Sequence, residues 1–287
     1  MVLKNKMKKR LDLLLVDKGL VSTRSRARGE IMAGNVFVDG KRQDKAGLLC
    51  SPKALLELRA SANPYVSRGG IKLRKALQDF KIELWGKTVL DIGASTGGFT
   101  HCCLEHGAKR VFALDVGYGQ LDWRLRNDPR VINMERTNAR YITKKCFPEV
   151  PDLATIDVSF ISLALILPVV VALSVQEIIC LIKPQFETTP GRVGKGGVVR
   201  DPAVHLEVIN KVMNLANELS YRIAGLTHSP IKGPKGNIEY LLYIVDPGNK
   251  GKTIAEETRL KASAAVTLAF HDLEAADKKK EITKKKC

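Results

Sequence analysis

At 287 residues, 45% hydrophobic and 27% charged, the chain is long enough for one large domain beside a small one and has an ordinary water-soluble composition. Lys and Arg outnumber Asp and Glu by 47 to 30, a net +17, which points to a polyanionic partner, nucleic acid first, ahead of a membrane surface or plain solubility. The excess sits at the ends: residues 1–60 hold 14 basic and 6 acidic side chains, and the last ten hold six Lys against one Glu.

Residues 10–19 predict a short helix with Leu11, Leu14 and Leu15 on one face. STRSRARGEIMAG (22–34) predicts a second helix, N-capped by Ser22 and stopped by Gly34. Its Ala27, Ile31 and Met32 share one face, while Arg24, Arg26 and Arg28 take others. In NVFVDGK, Val36 and Val38 alternate with their neighbours, and Asp39-Gly40 predicts a tight hairpin turn. Tyr65 and Phe37 could stack a nucleic-acid base, but core packing suits Phe37 better. Two helices and a hairpin make a compact α+β unit over 1–60, and SANPYVS (61–67) reads as the linker out of it.

From SRGGIKLRKALQDF onward, helices and strands alternate. Strands are predicted at 88–93, 110–116, 153–159, 177–183, 222–229 and 238–245, and helices at 98–106 and 202–219. The second of these helices opens well, with Asp201 as N-cap and Pro202 in the first helical position. Strands that are apolar almost throughout imply an α/β fold with a doubly wound, mostly parallel sheet covered on both faces. The closing pair of strands should be antiparallel. FISLALILPVVVALSV (160–175) is shorter than the roughly 20 residues a bilayer span needs, and Pro168 interrupts it, so a buried helix is expected. Residues 253–276 predict an amphipathic helix and 278–287 a lysine tail.

The six cysteines, Cys50, Cys102, Cys103, Cys146, Cys180 and Cys287, have neither metal-ligand nor disulfide spacing. No metal site is expected, and scattered thiols fit a reducing cytosol. The N-terminus lacks an apolar stretch of signal-peptide length, so a cytoplasmic protein with no membrane attachment is expected.

TVLDIGASTGGFT (88–100) is the most informative stretch. Glycines between a strand and a helix bring backbone N–H groups and the helix dipole to a ligand. A P-loop is excluded because Phe99 stands where its lysine must be, and a dinucleotide fingerprint lacks its middle glycine. S-adenosylmethionine remains, a ligand with an amino-acid end and a ribose but no phosphate. Asp91 is the expected carboxylate for its amine, and Asp115, 22 residues after Gly93, the expected holder of the ribose hydroxyls. Gly93, Ser95, Thr96, Gly97, Gly98 and Phe99 form the expected cofactor turn. Asn138 in TNAR is either an adenine neighbour or an ordinary loop asparagine.

DIGASTGGFT followed by ALDVGYGQLDWRLRNDPRV resembles the TlyA (haemolysin A) family, which belongs with the FtsJ-like ribose methyltransferases. The resemblance runs from residue 8 to 245 and includes SRGGIKL. RLDLLLVDKGLVSTRSRARGEIMAGNVFVDGK is similar to the α-L RNA-binding motif of that family. The resemblance implies an RNA-binding domain over 1–60 and a Rossmann-like class I methyltransferase domain over 68–250. Residues 251–287 lie beyond it, as a C-terminal helix and tail.

Four residues match the Lys-Asp-Lys-Glu tetrad of the FtsJ-like enzymes: Lys72 in RGGIKL, Asp157 in TIDVSF, Lys183 in LIKPQF and Glu239 in NIEYL. From the residues alone, Asp157 and Lys183 end apolar strands where doubly wound sheets place their sites, and a charge there is costly unless paired or used. Taken singly, Lys72 is an ordinary helix lysine, Glu239 a cross-strand partner, and Asp157 and Lys183 a simple ion pair. Taken together, Lys183 is the expected general base, Lys72 the second positive charge that eases its deprotonation, Asp157 the group that orients it, and Glu239 the holder of Lys72 or the ribose. Arg24, Arg26, Arg28, Lys41 and Arg42 are the expected phosphate contacts.

The resemblance implies 2′-O-methylation of ribosomal RNA, at cytidine, with ribosomal RNA or subunits as partner. A non-catalytic ribosome-assembly factor would not need an intact tetrad. A membrane-acting haemolysin would need a secretion signal or a spanning stretch. A pseudouridine synthase, which shares the small domain, would leave the glycine turn without a purpose.

Overall fold

The computed structural model describes residues 8–59, 63–248, 261–273 and 275. Its contacts divide the chain between Arg68 and Gly69. The first unit opens with β1 (Lys9–Arg10), α1 (Leu11–Asp17) and α2 (Arg24–Ala33). It continues with β2 (Val36–Val38), β3 (Lys41–Gln43), β4 (Leu49–Cys50) and β5 (Leu56–Leu58). Leu11, Leu14 and Leu15 pack with Ala27, Ile31, Val36 and Val38 in one core. The hairpin forms as expected, Val38 facing Lys41 across the turn, with β5 on the other side of β2.

Three details differ from expectation. The α2 N-cap is Thr23, whose hydroxyl accepts from the Arg26 N–H at 3.1 Å, not Ser22. Met32 is 47% exposed and does not join Ala27 and Ile31 inside. Phe37 is outside this core as well: strand alternation that turns Val36 and Val38 inward turns Phe37 to the opposite face, where the Arg59 guanidinium lies 4.0 Å from its ring centroid. Of the expected linker, residues 61 and 62 lie outside the described residues, and Tyr65 and Val66 are buried.

The second unit holds the seven-stranded sheet. Its strands are β6 (Thr88–Ile92), β7 (Arg110–Leu114), β8 (Val131–Met134), β9 (Leu153–Ile156), β10 (Glu177–Ile182), β11 (Arg222–His228) and β12 (Tyr240–Val245). They lie in the order β11-β12-β10-β9-β6-β7-β8, and β12 runs antiparallel to both its neighbours. This is the expected mostly parallel sheet with an antiparallel last strand, here inserted one place from the edge. Strands β6 and β9 are buried along their whole length, as a sheet covered on both faces requires. The edge strand β8 has no counterpart in the sequence reading; it is four residues long, and Ile132 and Asn133 face solvent.

The helices are α3 (Gly69–Phe80), α4 (Gly98–Glu105), α5 (Trp123–Arg126), α6 (Leu167–Ala172), α7 (Pro184–Glu187), α8 (Pro202–Glu218) and α9 over 261–273. Asp201 caps α8 through the Ala203 N–H at 2.9 Å, with Pro202 in its first turn. The apolar stretch 160–175 is a 3-10 turn followed by the six-residue α6, with Pro168 in the first turn. Among the described residues no helix is long and apolar enough to cross a membrane. Ala262, Val266, Ala269 and Leu273 bury one face of α9, and the rest of the expected helix and the lysine tail lie outside the described residues, save Ala275.

Candidate active site

The carboxyl edge of the sheet carries two groups of polar residues on neighbouring strands. The first is the glycine turn between β6 and α4. Gly93 has φ +85°, and a Cβ there would stand 2.4 Å from the Asp157 carbonyl oxygen, so the close crossing of the two strand ends needs glycine. Gly97 has φ +93° and N-caps α4, and a Cβ would strike Leu125 at 2.2 Å. Gly98 and Phe99 open the helix, where backbone N–H groups lack helical acceptors. Ser95, at φ 49°, gives its backbone N–H to Asp115 at 2.8 Å, and Gly117 N–H donates to the other oxygen at 2.7 Å. Asp115 is half-buried, and its carboxylate has lone pairs left for hydroxyl donors. Thr96 accepts the Asp122 N–H through its carbonyl at 3.2 Å.

Asp91 differs from Asp115. It is fully buried, and its two oxygens accept from the hydroxyls of Thr100 at 2.7 Å and Thr155 at 2.9 Å. Burial pushes its carboxyl up to about 6, against the pull of the two hydroxyl bonds. So engaged, Asp91 braces β6 against α4 and β9. Asn138 stands beside the Asp115 strand end, since Thr137 N–H donates to the Asp115 carbonyl at 2.9 Å. Its side-chain oxygen accepts the Arg140 N–H at 3.0 Å as the cap of a 3-10 turn.

The second group is the tetrad, and the structure brings all four residues to the same edge in two ion pairs. Lys72, on α3, meets Glu239 at 2.5 Å, and Lys183, at the N-cap of α7, lies 2.6 Å from Asp157. Glu239 reaches the edge because β12 is reversed, with Tyr240 pairing Ile182. Gly233 passes so close to its carboxylate that a Cβ would stand 2.5 Å from Oε1. Side-chain exposure separates the pairs: 9% and 1% for Lys72 and Glu239, 10% and 19% for Lys183 and Asp157. The lysines are alike, and the difference lies in the acids: Glu239 is closed off, whereas Asp157 keeps part of its side chain open. The Asp157–Lys183 contact is held by charge, for it lacks the angles of a hydrogen bond, and the ammonium donates instead to Ser159 Oγ at 3.0 Å. Burial opposes ionisation of Asp157, but the charges of Lys183 and then Lys72 win and hold its carboxyl below the usual range.

Two residues here were not singled out in the sequence. Ser159 is one of the contacts that fix Lys183. Phe160 is 86% exposed with φ 63°, a strained conformation for a non-glycine residue that costs about 1–3 kcal/mol. Its ring lies 4.9 Å from that of Phe186, centroid to centroid. No periodicity or propensity marks a positive φ at phenylalanine, so only the fold reveals it.

In the first unit, Arg24, Arg26, Arg28, Lys41 and Arg42 are all exposed. Arg24 and Arg42 also have inward tasks. With Arg10, Arg24 holds the buried Asp12, whose carboxyl is driven down to about 2, chiefly by its hydrogen bonds with Arg10. The Arg42 guanidinium covers Gly34, where a Cβ would meet it at 1.7 Å. Among the described residues no group of three or more His, Cys, Asp or Glu has the arrangement of a metal site.

Comparison with known proteins adds to this geometry. The family described as FtsJ-like methyltransferase matches residues 65–245, and the S4 domain family matches residues 9–56. A Mycobacterium tuberculosis (strain ATCC 25618 / H37Rv) protein, the 16S/23S rRNA (cytidine-2′-O)-methyltransferase TlyA, is 46% identical, covering 82% of this chain and 89% of that relative. Hemolysin A of Brachyspira hyodysenteriae is 43% identical, over 82% of this chain and 99% of its own length. A solved chain from Streptococcus thermophilus is 38% identical with a TM-score of 0.74, covering 95% of this chain and 99% of that one.

Proposed function

The chain belongs to the FtsJ-like methyltransferase family, with an S4 domain ahead of the catalytic domain, and on that premise we propose that it methylates the ribose 2′-hydroxyl of a cytidine in ribosomal RNA. One observation carries the reading: Asp157 serves both groups at the sheet edge, its carbonyl against Gly93 of the glycine turn and its carboxylate against Lys183. The printed activity of the mycobacterial relative supports the choice of ribosomal RNA and of cytidine.

S-adenosylmethionine, when bound, supplies an electrophilic sulfonium methyl. The donor set fits it: a glycine turn without a phosphate-gripping lysine, and Asp115 with free lone pairs for ribose hydroxyls. In this proposal the amino-acid end meets the backbone of residues 93–98, and Asp91 acts from beneath as the brace of that turn. Asn138 borders the adenine side.

Lys183, its ammonium having first given a proton to solvent, takes the proton of the substrate hydroxyl, and the ammonium that re-forms is the one Asp157 and Ser159 stabilise. The O–H bond breaks as the N–H bond forms, and the oxygen takes the methyl as the methyl–sulfur bond breaks, which would leave S-adenosylhomocysteine as the product. Lys72, fixed by Glu239, adds a second positive charge at the oxygen that gains charge. Much of the acceleration comes from alignment of hydroxyl and methyl donor over a preformed edge. Arg24, Arg26, Arg28, Lys41 and Arg42 contact phosphates and position the RNA without reading sequence. A cytoplasmic location follows from a ribosomal substrate.

The test is direct. Purified protein is incubated with labelled S-adenosylmethionine and separated, unmodified ribosomal subunits, and the RNA is digested to nucleosides. Label on 2′-O-methylcytidine is expected. Label on a base, or none at all despite measurable cofactor binding, would overturn the proposal.

A further inference from the structure

We propose that Glu187 is a positioning residue for methyl transfer, locking the loop that carries Asp157, Ser159 and Phe160 onto the turn that begins at Lys183. The inference rests on the reading of the Lys183 site given above and extends it to a residue that touches neither substrate nor cofactor.

Glu187 ends α7 and is 7% exposed. Its Oε2 accepts from Ser162 Oγ at 2.6 Å, and its Oε1 accepts from the Leu163 backbone N–H at 2.7 Å. Ser162 Oγ in turn accepts the Ala164 N–H at 3.1 Å, so the one hydroxyl proton is committed to Glu187. The Glu187 carbonyl takes a hydrogen bond from Lys211 Nζ at 3.2 Å, which ties the same turn to α8.

The two chain segments joined in this way carry the two halves of the open ion pair. Residues 157–163 bring Asp157, Ser159 and Phe160, and residues 183–187 bring Lys183 and Phe186. Neither segment is long enough to fix itself, since α7 is a single turn of four residues. Phe160, at φ 63°, holds a conformation that persists only where neighbouring contacts over-determine it. The bonds from Ser162 and Leu163 lie two and three residues further on and supply that restraint. A carboxylate at this point accepts from both donors at once, which an apolar side chain of the same size cannot do.

The experiment uses the full chain with Ser162→Ala, Glu187→Ala and Glu187→Gln. Glu187→Ala should lower kcat about a hundredfold, in line with the effect of an ångström-scale misplacement, with KM for RNA and cofactor affinity within about twofold of wild type. Ser162→Ala, which removes one bond from the other side and spares the buried carboxylate, should lower kcat about tenfold. Glu187→Gln should stay within about threefold, because its amide still accepts from Leu163 and donates to Ser162 Oγ. Wild-type kcat in Ser162→Ala, or in a Glu187→Ala protein of normal cofactor affinity, would overturn the inference.

A second readout needs no RNA. The fluorine resonance of 4-fluorophenylalanine at position 160 should shift and broaden in Ser162→Ala and stay in place in Glu187→Gln. An unchanged resonance in Ser162→Ala would overturn the lock even where wild-type RNA methylation is seen. Absence of methylation by wild type would count against the proposed substrate and leave this measurement to judge the lock.

Discussion

Asp91 and Asp157 sit on adjacent parallel strands, one within β6 and one just past β9, yet their neighbours give them opposite characters. Asp91 is sealed in the core between two threonine hydroxyls, and burial raises its carboxyl to about 6. Asp157 keeps a fifth of its side chain exposed, faces Lys183 and feels Lys72, and stays ionised below the usual carboxylate range. Hydroxyls offset burial only in part, whereas cations reverse it. One acid is therefore tied into the turn and the other into an ion pair at the sheet edge, though the sequence offers both at the end of an apolar run.

The largest break in this contrast comes from the open pair. Lys183→Ala should reduce single-turnover methylation by about a thousandfold, within the range of lost proton transfer, while cofactor affinity by calorimetry stays within about threefold. Loss of cofactor binding instead would move Lys183 into the cofactor site.

Lys72→Ala sharpens the contrast between closed and open pairs. It leaves Glu239, 1% exposed, without its cation, and should destabilise the protein by about 3–5 kcal/mol in denaturant unfolding. A loss below about 1 kcal/mol would show that the pair is not buried in solution.

The smallest effect concerns Asp91 and pH. Its folded-state pKa is raised, so its stabilising contribution is complete below about pH 4 and is lost as pH rises through about 6. The loss amounts to up to about 3 kcal/mol, and Asp91→Asn should remove this part of the pH dependence. Parallel stability curves for both proteins between pH 4 and 7 would contradict the assignment.

Much of the edge was legible before any coordinates. Asp157 and Lys183 interrupt apolar runs at strand ends, and Gly93 and Gly97 stand where a side chain would collide, so residue type alone marks them. Alternation also points Phe37 outward, since its neighbours Val36 and Val38 claim the inner face, against the preference for core packing. The engagement of Asp91 was illegible, because Thr155 lies 64 residues away and is joined to it only by the parallel pairing of β6 and β9. Phe160 and the clamp at Glu187 depend on a backbone conformation and on two side-chain contacts that no spacing encodes. Strand β8 was missed because a four-residue edge strand with two consecutive exposed residues shows neither alternation nor an apolar run.

The division of labour between the two aspartates is tested most directly by single-turnover methylation of one ribosomal subunit at saturating cofactor, with Asp157→Asn and Asp91→Asn side by side. The account predicts a loss of about a hundredfold for Asp157→Asn and a rate within about fivefold of wild type for Asp91→Asn. The reverse ranking would place the working carboxylate on β6 and contradict it.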